Sequence, residues 1–444
     1  MSRNKSLGLL AGAALCMVSS AGLAQDADRA YRSELLADAA GRSSLLAAGG
    51  SVHHDNGAFG VSDGSGNNSL NVNLFTQYRH MFNFSDQPDS DGDEADLTHG
   101  GQLARVRVIL FGTVGSPNME YFIQFGADPI SSGSFSDDNG SSSSSYYGGG
   151  EVAVLDAVFT YWFDEPGNGG YFRFGQGRPA QGFEQMTHIW QQQFMERSIP
   201  GEFLSPGRQQ FWGGGYQDDT FDIEVFFSDG AYTPSTDFTS PIEADLGIGA
   251  RANFIINGSR DAFASQSSFP GSPDGMRAGI GGQYQTGGET GFTMDADLWF
   301  ASADFELRGS GYSVRLHGYA QNVDFDGSDD VTNFGVALRG GLFLDDNWEV
   351  FAGWDALFLD DELGFDDENQ NFLRAGVNFF PFAQSTAVRF TGEIIVGLND
   401  TSEVISGAGG IGSELGSMFS TTRQNILGDD DTEIGVGIQA AVLN

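Results

Sequence analysis

Thiols and lysine are almost absent from this chain: 444 residues hold one cysteine, Cys16, and one lysine, Lys5. Both fall in a start that reads as a secretory signal. Arg3 and Lys5 give a basic beginning, Leu7 to Val18 a short apolar core, and Gly22-Leu23-Ala24 small residues for cleavage before Gln25. Leu15 does not suit a lipoprotein cleavage box before Cys16. The exported chain is therefore expected to have no disulfide and no cysteine metal site, with arginine as its only strong base. No run approaches the roughly 18 apolar residues of a spanning helix. Positive charge is also scarce, at 21 basic against 60 acidic residues and a formal net charge of −39. Phosphate backbones need clustered positive charge, so nucleic acid is excluded as a partner. The acidity fits either a surface adapted to a salty habitat or loop charge that attracts cations. No nucleophile with a neighbouring base stands out. The six histidines form no metal spacing beyond adjacent His53 and His54, and no helix follows Gly213-Gly214-Gly215, so it is not a phosphate loop. Neither a catalytic role nor a cofactor is expected.

What is present is alternation. Residues Asp26 to Gly49 place Leu35, Leu36, Ala39, Ala40, Leu45 and Leu46 at helical spacing, and residues 50–69 are rich in Gly, Ser, Asn and Asp, as in a linker. From Leu70 onward sixteen stretches alternate apolar and polar residues. They fall at about 70–84, 101–115, 118–127, 151–163, 169–177, 209–217, 220–229, 244–257, 275–286, 292–307, 311–325, 331–344, 347–359, 370–380, 385–398 and 432–443, with boundaries good to roughly 2–4 residues. Connections alternate short and long. Ser116-Pro117, Asp218-Asp219 and Asp345-Asp346 are tight, whereas 128–150, 178–208 and 399–431 are long. An even number of strands with tight turns at one rim and long loops at the other predicts an all-β, 16-stranded antiparallel transmembrane barrel in a bacterial outer membrane. The expected organisation is a signal over 1–24, a helical arm and linker over 25–69, and the barrel over 70–444. Residues 258–274 break the rhythm: a tight turn is due there and 17 residues stand in its place.

Within the strands charge keeps to one phase. Val314, Leu316, Gly318 and Ala320 alternate with Ser313, Arg315, His317, Tyr319 and Gln321, and Ile223 and Val225 alternate with Asp222 and Glu224. The apolar phase is assigned to lipid. On this register arginines 79, 105, 107, 173, 251, 277, 315, 339, 374 and 389 point inward with the acids Glu120, Asp156, Asp222, Glu224, Asp295, Asp297, Glu349, Asp355 and Glu393. The wall is then nearly neutral and the negative excess lies in loops and turns.

The middle of the chain is more specific. Phe172 to Phe183 reads FRFGQGRPAQGF and Gln193 to Gln210 reads QFMERSIPGEFLSPGRQQ. With LARVRVILFGT over Leu103 to Thr113 and LDAVFTYW over Leu155 to Trp162, these segments resemble the phosphate-selective porin O and P family. The resemblance implies a sixteen-stranded homotrimeric porin that passes small ions or solutes, whose third outer loop, here 178–208, folds inward and narrows the barrel. Phosphate-specific members line the pore with lysines, which this chain lacks beyond Lys5, so phosphate selectivity is not implied. The C-terminal Leu443-Asn444 also departs from the aromatic end usual in such barrels.

A pore selects by width and by charge at its narrowest point. The candidate selectivity residues are Arg105, Arg107, Arg173, Arg251, Arg315, Asp222 and Glu224 on the wall, with Arg197 and Arg208 in the loop, either touching solute or pinning the loop to wall carboxylates. An arginine ladder of Arg105, Arg107 and Arg173 would face acids across the lumen. Asp89, Asp91 and Asp93 in one acidic loop, and the acids between Asp360 and Glu368 in another, are weak calcium candidates. Two other readings stay open: a non-conducting structural or adhesive barrel, and a secreted calcium-binding β-protein.

Overall fold

The computed structural model describes residues 50–55, 58–85, 97–127, 152–289, 295–326, 329–363, 368–401, 421–428 and 432–444. The helical arm over 26–49 and the calcium candidates Asp89, Asp91 and Asp93 lie outside the described residues, as do Asp366 and Asp367.

The stretch read as a linker holds a hairpin, β1 (Ser51–Asp55) and β2 (Ala58–Ser62). Sixteen strands then form the wall: β3 (Ser69–Phe84), β4 (Thr98–Thr113), β5 (Met119–Gly126), β6 (Ala153–Trp162), β7 (Gly169–Gly177), β8 (Gln209–Gln217), β9 (Phe221–Ser228) and β10 (Leu246–Asn257). The second half is β11 (Gly275–Thr286), β12 (Ala296–Gly309), β13 (Tyr312–Phe325), β14 (Val331–Phe343), β15 (Trp348–Phe358), β16 (Asn369–Phe379), β17 (Val388–Gly397) and β18 (Ile434–Leu443). Each pairs antiparallel with its neighbours in sequence, and β18 closes on β3 from Ile434↔Phe84 to Leu443↔Phe75. Closure satisfies the backbone N–H and C=O groups internally, which lipid cannot do. The edge of β3 left over beyond the end of β18 is taken by β2, from Phe59↔Val72 to Ser62↔Ser69. The hairpin thus continues the line of β18 and covers this part of the β3 edge.

The pleat sorts the side chains as the alternation requires. Along β13, Val314 and Leu316 are exposed on the lipid face, whereas Arg315, His317 and Gln321 are buried inside. One assignment needs correction. In β12 the inward phase is Ser302, Asp304, Glu306 and Arg308, so Asp297 lies on the outer phase near the rim. There its carboxylate accepts from Gly287 N (2.9 Å) and Tyr284 Oη (3.3 Å), and Asp295 is exposed in the loop. The outer phase is barred to charge at the membrane midplane but not at a rim, which is why polarity alone misled there.

Among the described residues two loops reach into the lumen, joined by the segment 421–428, whose Gln424 Nε2 donates to Arg197 O at 3.3 Å. Residues 178–208 descend from the long-loop rim as helix α1 (Phe183–Met186), a 3-10 turn (Ile189–Gln191) and helix α2 (Ile199–Leu204). Ser198 caps α2, its Oγ accepting from Gly201 N at 3.1 Å. Ile199, Phe203 and Leu204 pack on inward apolar side chains including Leu298, Phe300, Val323, Leu357 and Phe372. α2 lies so close to β14 that Gly335 has no room for a Cβ beside Pro200. The anomalous 258–274 connection enters from the opposite rim. Its Phe269 packs on Phe343 and Phe380 at ring distances of 4.9 and 5.0 Å. The strand register on either side is therefore sound; the extra residues fill the barrel instead of widening a turn.

A charge forced onto the lipid face should reveal the wall's orientation. Leu316→Arg is expected to destabilise the barrel by about 2–4 kcal/mol in urea titrations in lipid vesicles. An unchanged midpoint would show that β13 does not face lipid there.

Candidate functional site: a half-filled lumen

The two loops meet inside. Gln266 N donates to Gln191 O (2.9 Å), and Gln193 N donates to Gln266 Oε1 (3.1 Å). Arg315 ties both to the wall through Gln266 O (2.7 Å) and Gln193 Oε1 (2.6 Å). Glu349 accepts from Gln193 Nε2 (2.5 Å), Ser267 Oγ (2.8 Å) and Asn378 Nδ2 (2.9 Å). Above this clasp the wall charges neutralise one another. Arg251 and Arg277 share Asp304 at 2.6 and 2.9 Å, and Arg339 pairs with Asp355 at 2.6 Å. Among the described residues the inward side chains of β10–β18 are buried against the loops, with a pocket of only ≈ 10 Å³ beside Arg374 and Glu393.

The remaining space is a cavity of ≈ 710 Å³ between β3–β9 and the inward loop. It runs from the short-turn rim, at Ser69, Thr113 and Gln217, up to Arg107, Asp156, Arg178 and Arg208 at mid-height. Among the described residues six arginines line it, at 107, 173, 178, 197, 208 and 260, against four acids, Glu120, Asp156, Asp222 and Glu224. Arg173 reaches Glu224 (2.5 Å), Arg208 holds Asp156 by two hydrogen bonds (3.0 and 3.1 Å), and Arg260 reaches Asp222 (2.6 Å). In the orientation that satisfies both groups, the Gln124 amide bridges Arg107 Nη1 (2.6 Å) and Asp156 (3.3 Å).

Arg107, Arg173, Arg197, Arg208, Asp222 and Glu224 thus border the cavity, while Arg105, Arg251 and Arg315 do not. Arg105 is closed off because its guanidinium grips Glu196 of the loop at 2.7 and 2.8 Å, with Arg79 on the same carboxylate at 2.7 Å. The three-arginine ladder is accordingly broken at its first member. Glu196 and Arg208 join loop to wall. Arg197 instead holds the loop to itself, through Glu184 O (2.9 Å), Thr187 O (2.9 Å) and Glu202 (2.7 Å). Sequence reasoning passed over Arg178, Arg260 and the cavity rings Phe122, His188 and Trp190. It also missed Asp304, Glu306 and Arg308, which the alternation Asp304-Phe305-Glu306-Leu307 would have disclosed. Among the described residues no group of three or more His, Cys, Asp or Glu side chains is arranged to hold a metal.

The loop carries its own titrating groups. Burial would raise the Glu184 carboxyl, but Arg339, His317 and the Ser198 hydrogen bonds outweigh it and hold it down at about 2. His188 is pulled down to about 4, by burial first and by Arg197, Arg107 and Arg208 against the pull of Asp156.

No family model matches the chain, and no curated protein matches it. Solved structures do. An anion-selective porin from Comamonas acidovorans is 10% identical, with 84% of this chain and 99% of that one covered and a TM-score of 0.54. A loop-deletion mutant of OmpT, an outer-membrane protein of Vibrio cholerae, is 13% identical, with 84% and 99% covered and a TM-score of 0.50. At such identities the likeness speaks to fold.

Two outcomes are expected. Glu196→Ala strands Arg79 and Arg105 without their shared carboxylate, so loop docking should weaken by about 3–5 kcal/mol and protease should cut within 178–208. Full protection would mean that the loop does not depend on this pair. Both depressed groups favour their deprotonated forms in the folded protein, so their stabilisation is complete above the unfolded pKa and lost on acidification. The loss runs from 6.5 to about 4 for His188 and from 4.5 to about 2 for Glu184. His188→Asn should flatten the fall in urea midpoint between pH 6.5 and 4; an identical pH curve would contradict the assignment. Closed wall, apolar outer face and fold likeness together make this chain a sixteen-stranded β-barrel of the bacterial outer membrane.

Proposed function

We propose that the chain is a porin through which small hydrophilic solutes or ions diffuse passively, in a passage narrowed by the inward loop 178–208. The observation that carries the reading is the charged cavity left between that loop and β3–β9. Charge near a constriction governs which ions enter, and low-dielectric walls strengthen its field. Six arginines against four acids leave the lining with an excess of two positive charges, inside a chain whose total is −39. The passage therefore favours anions, with the acidic loops acting at the mouth. Arginine keeps its charge across the working pH range. The resemblance to the phosphate-selective O and P family supports the inward loop and a homotrimer, while the lack of lysine in the lining argues against phosphate selectivity. Diffusion needs no catalytic group.

A second reading, a structural barrel without conductance, is favoured by one observation: two loops fill the β10–β18 side of the lumen. Planar bilayers with a salt gradient separate the two. Stepwise conductance with an anion-selective reversal potential is expected, and Arg178→Glu should move that potential toward cations. A cation-selective wild type would put control in the acidic loops, and folded protein giving no steps would leave the structural barrel.

A further inference from the structure

The cavity's two sides differ in chemistry. On the β4–β5 side, loop rings and wall rings stack into one continuous surface. Phe122 lies on His188 (centroids 5.2 Å apart, 26° between planes), and His188 lies on Trp190 (4.4 Å, 10°). Phe111 packs against the same cluster, and these rings are mostly buried but keep part of their surface on the cavity. On the β7–β9 side the polar groups are already engaged with one another. Arg173 and Tyr171 both bind Glu224, at 2.5 and 2.9 Å, and Arg260 binds Asp222 at 2.6 Å. On that side the charges are largely committed to one another, and Glu224 Oε1 remains as a buried acceptor without a partner.

Arg178 stands apart from these pairs. It caps the cavity where β7 gives way to the loop, and among the described residues its hydrogen-bond partner is a single carbonyl, Gln185 O, at 3.2 Å from Nη1. Its Nε is buried with no partner. A guanidinium so placed offers donors to a planar, two-oxygen anion, the geometry in which arginine–carboxylate recognition is strongest. Aromatic faces alongside suit an apolar ring in offset or edge contact. The volume, ≈ 710 Å³, lies within the roughly 300–1,000 Å³ of sites for small organic molecules.

We infer that the passage recognises small aromatic carboxylates, with Arg178 taking the carboxylate and the Phe122–His188–Trp190 surface taking the ring. The inference rests on the porin reading and names the solute class for the same passage. A hydroxylated ring acid of equal charge would meet apolar faces and engaged charges, and a short aliphatic acid would leave the ring surface unused.

Block of single-channel KCl current tests this, with benzoate, propionate, glucuronate and neutral benzyl alcohol as probes. Benzoate should half-block at a concentration about tenfold below propionate and glucuronate, the scale of one good aromatic contact. Phe122→Leu and Trp190→Leu should each bring benzoate toward propionate. Arg178→Gln should weaken all three carboxylates and leave benzyl alcohol unchanged. Heat-dependent gel mobility establishes that each variant is folded, and either ring variant suffices if the other fails to fold. Equal block by the three anions, or benzyl alcohol as potent as benzoate, overturns the inference while leaving the porin reading intact. Folded wild type with no conductance removes the porin reading and this inference with it.

Discussion

Charge that the lipid face refuses has to be carried inside this barrel, and there each guanidinium depends on an oxygen brought within reach. The Arg79–Glu196–Arg105 contact shows the dependence most directly. Two wall arginines on β3 and β4 are nearly without solvent, and their common carboxylate comes from the inward loop. Without the loop, two buried cations would face each other. Without the arginines, the loop would carry a buried anion with no partner. Removing one partner of such a group costs far more than the group contributes when whole, so wall and loop specify each other. The clasp of Gln193, Gln266 and Arg315 extends the same dependence to the loop from the opposite rim.

The consequence for function is asymmetry. β10–β18 face buried side chains, apolar at one level around α2 and ionic at the next. β3–β9 face open space. The cavity is thus set off to one side of the barrel, lined by β3–β9 and by residues of the 178–208 loop and Arg260. That localisation lets a protein with a formal net charge of −39 keep an arginine-rich cavity.

Much of this was legible beforehand. Strand positions follow from period-two alternation, because lipid on one side enforces it; the wall segments agree with the structure to within about four residues. Inward arginines were legible for the same reason. The errors have physical causes. Asp297 was assigned inward because its neighbours alternate, yet at the rim an outward carboxylate meets loop donors and not lipid. Arg105, Arg251 and Arg315 have the inward phase but no access to the passage, because phase says which way a side chain points and nothing of what covers it. The 17-residue connection over 258–274 was visible as an irregularity, but its destination depended on Phe269 finding Phe343 and Phe380 across the lumen. The hairpin over 51–62 escaped notice because its strands are short and stand among linker-like residues.

The central claim is that water and solutes occupy the β3–β9 side of the lumen and not the β10–β18 side. Single cysteines test it cleanly, since Cys16 is the only native cysteine. Thr160→Cys places a thiol on the cavity wall, and Asn378→Cys places one where the native side chain is fully covered by the loops. A charged, water-soluble thiol reagent should modify the thiol at 160 quickly and block current, while the thiol at 378 stays unreacted in the folded barrel. Equal reactivity at the two positions would contradict the claim.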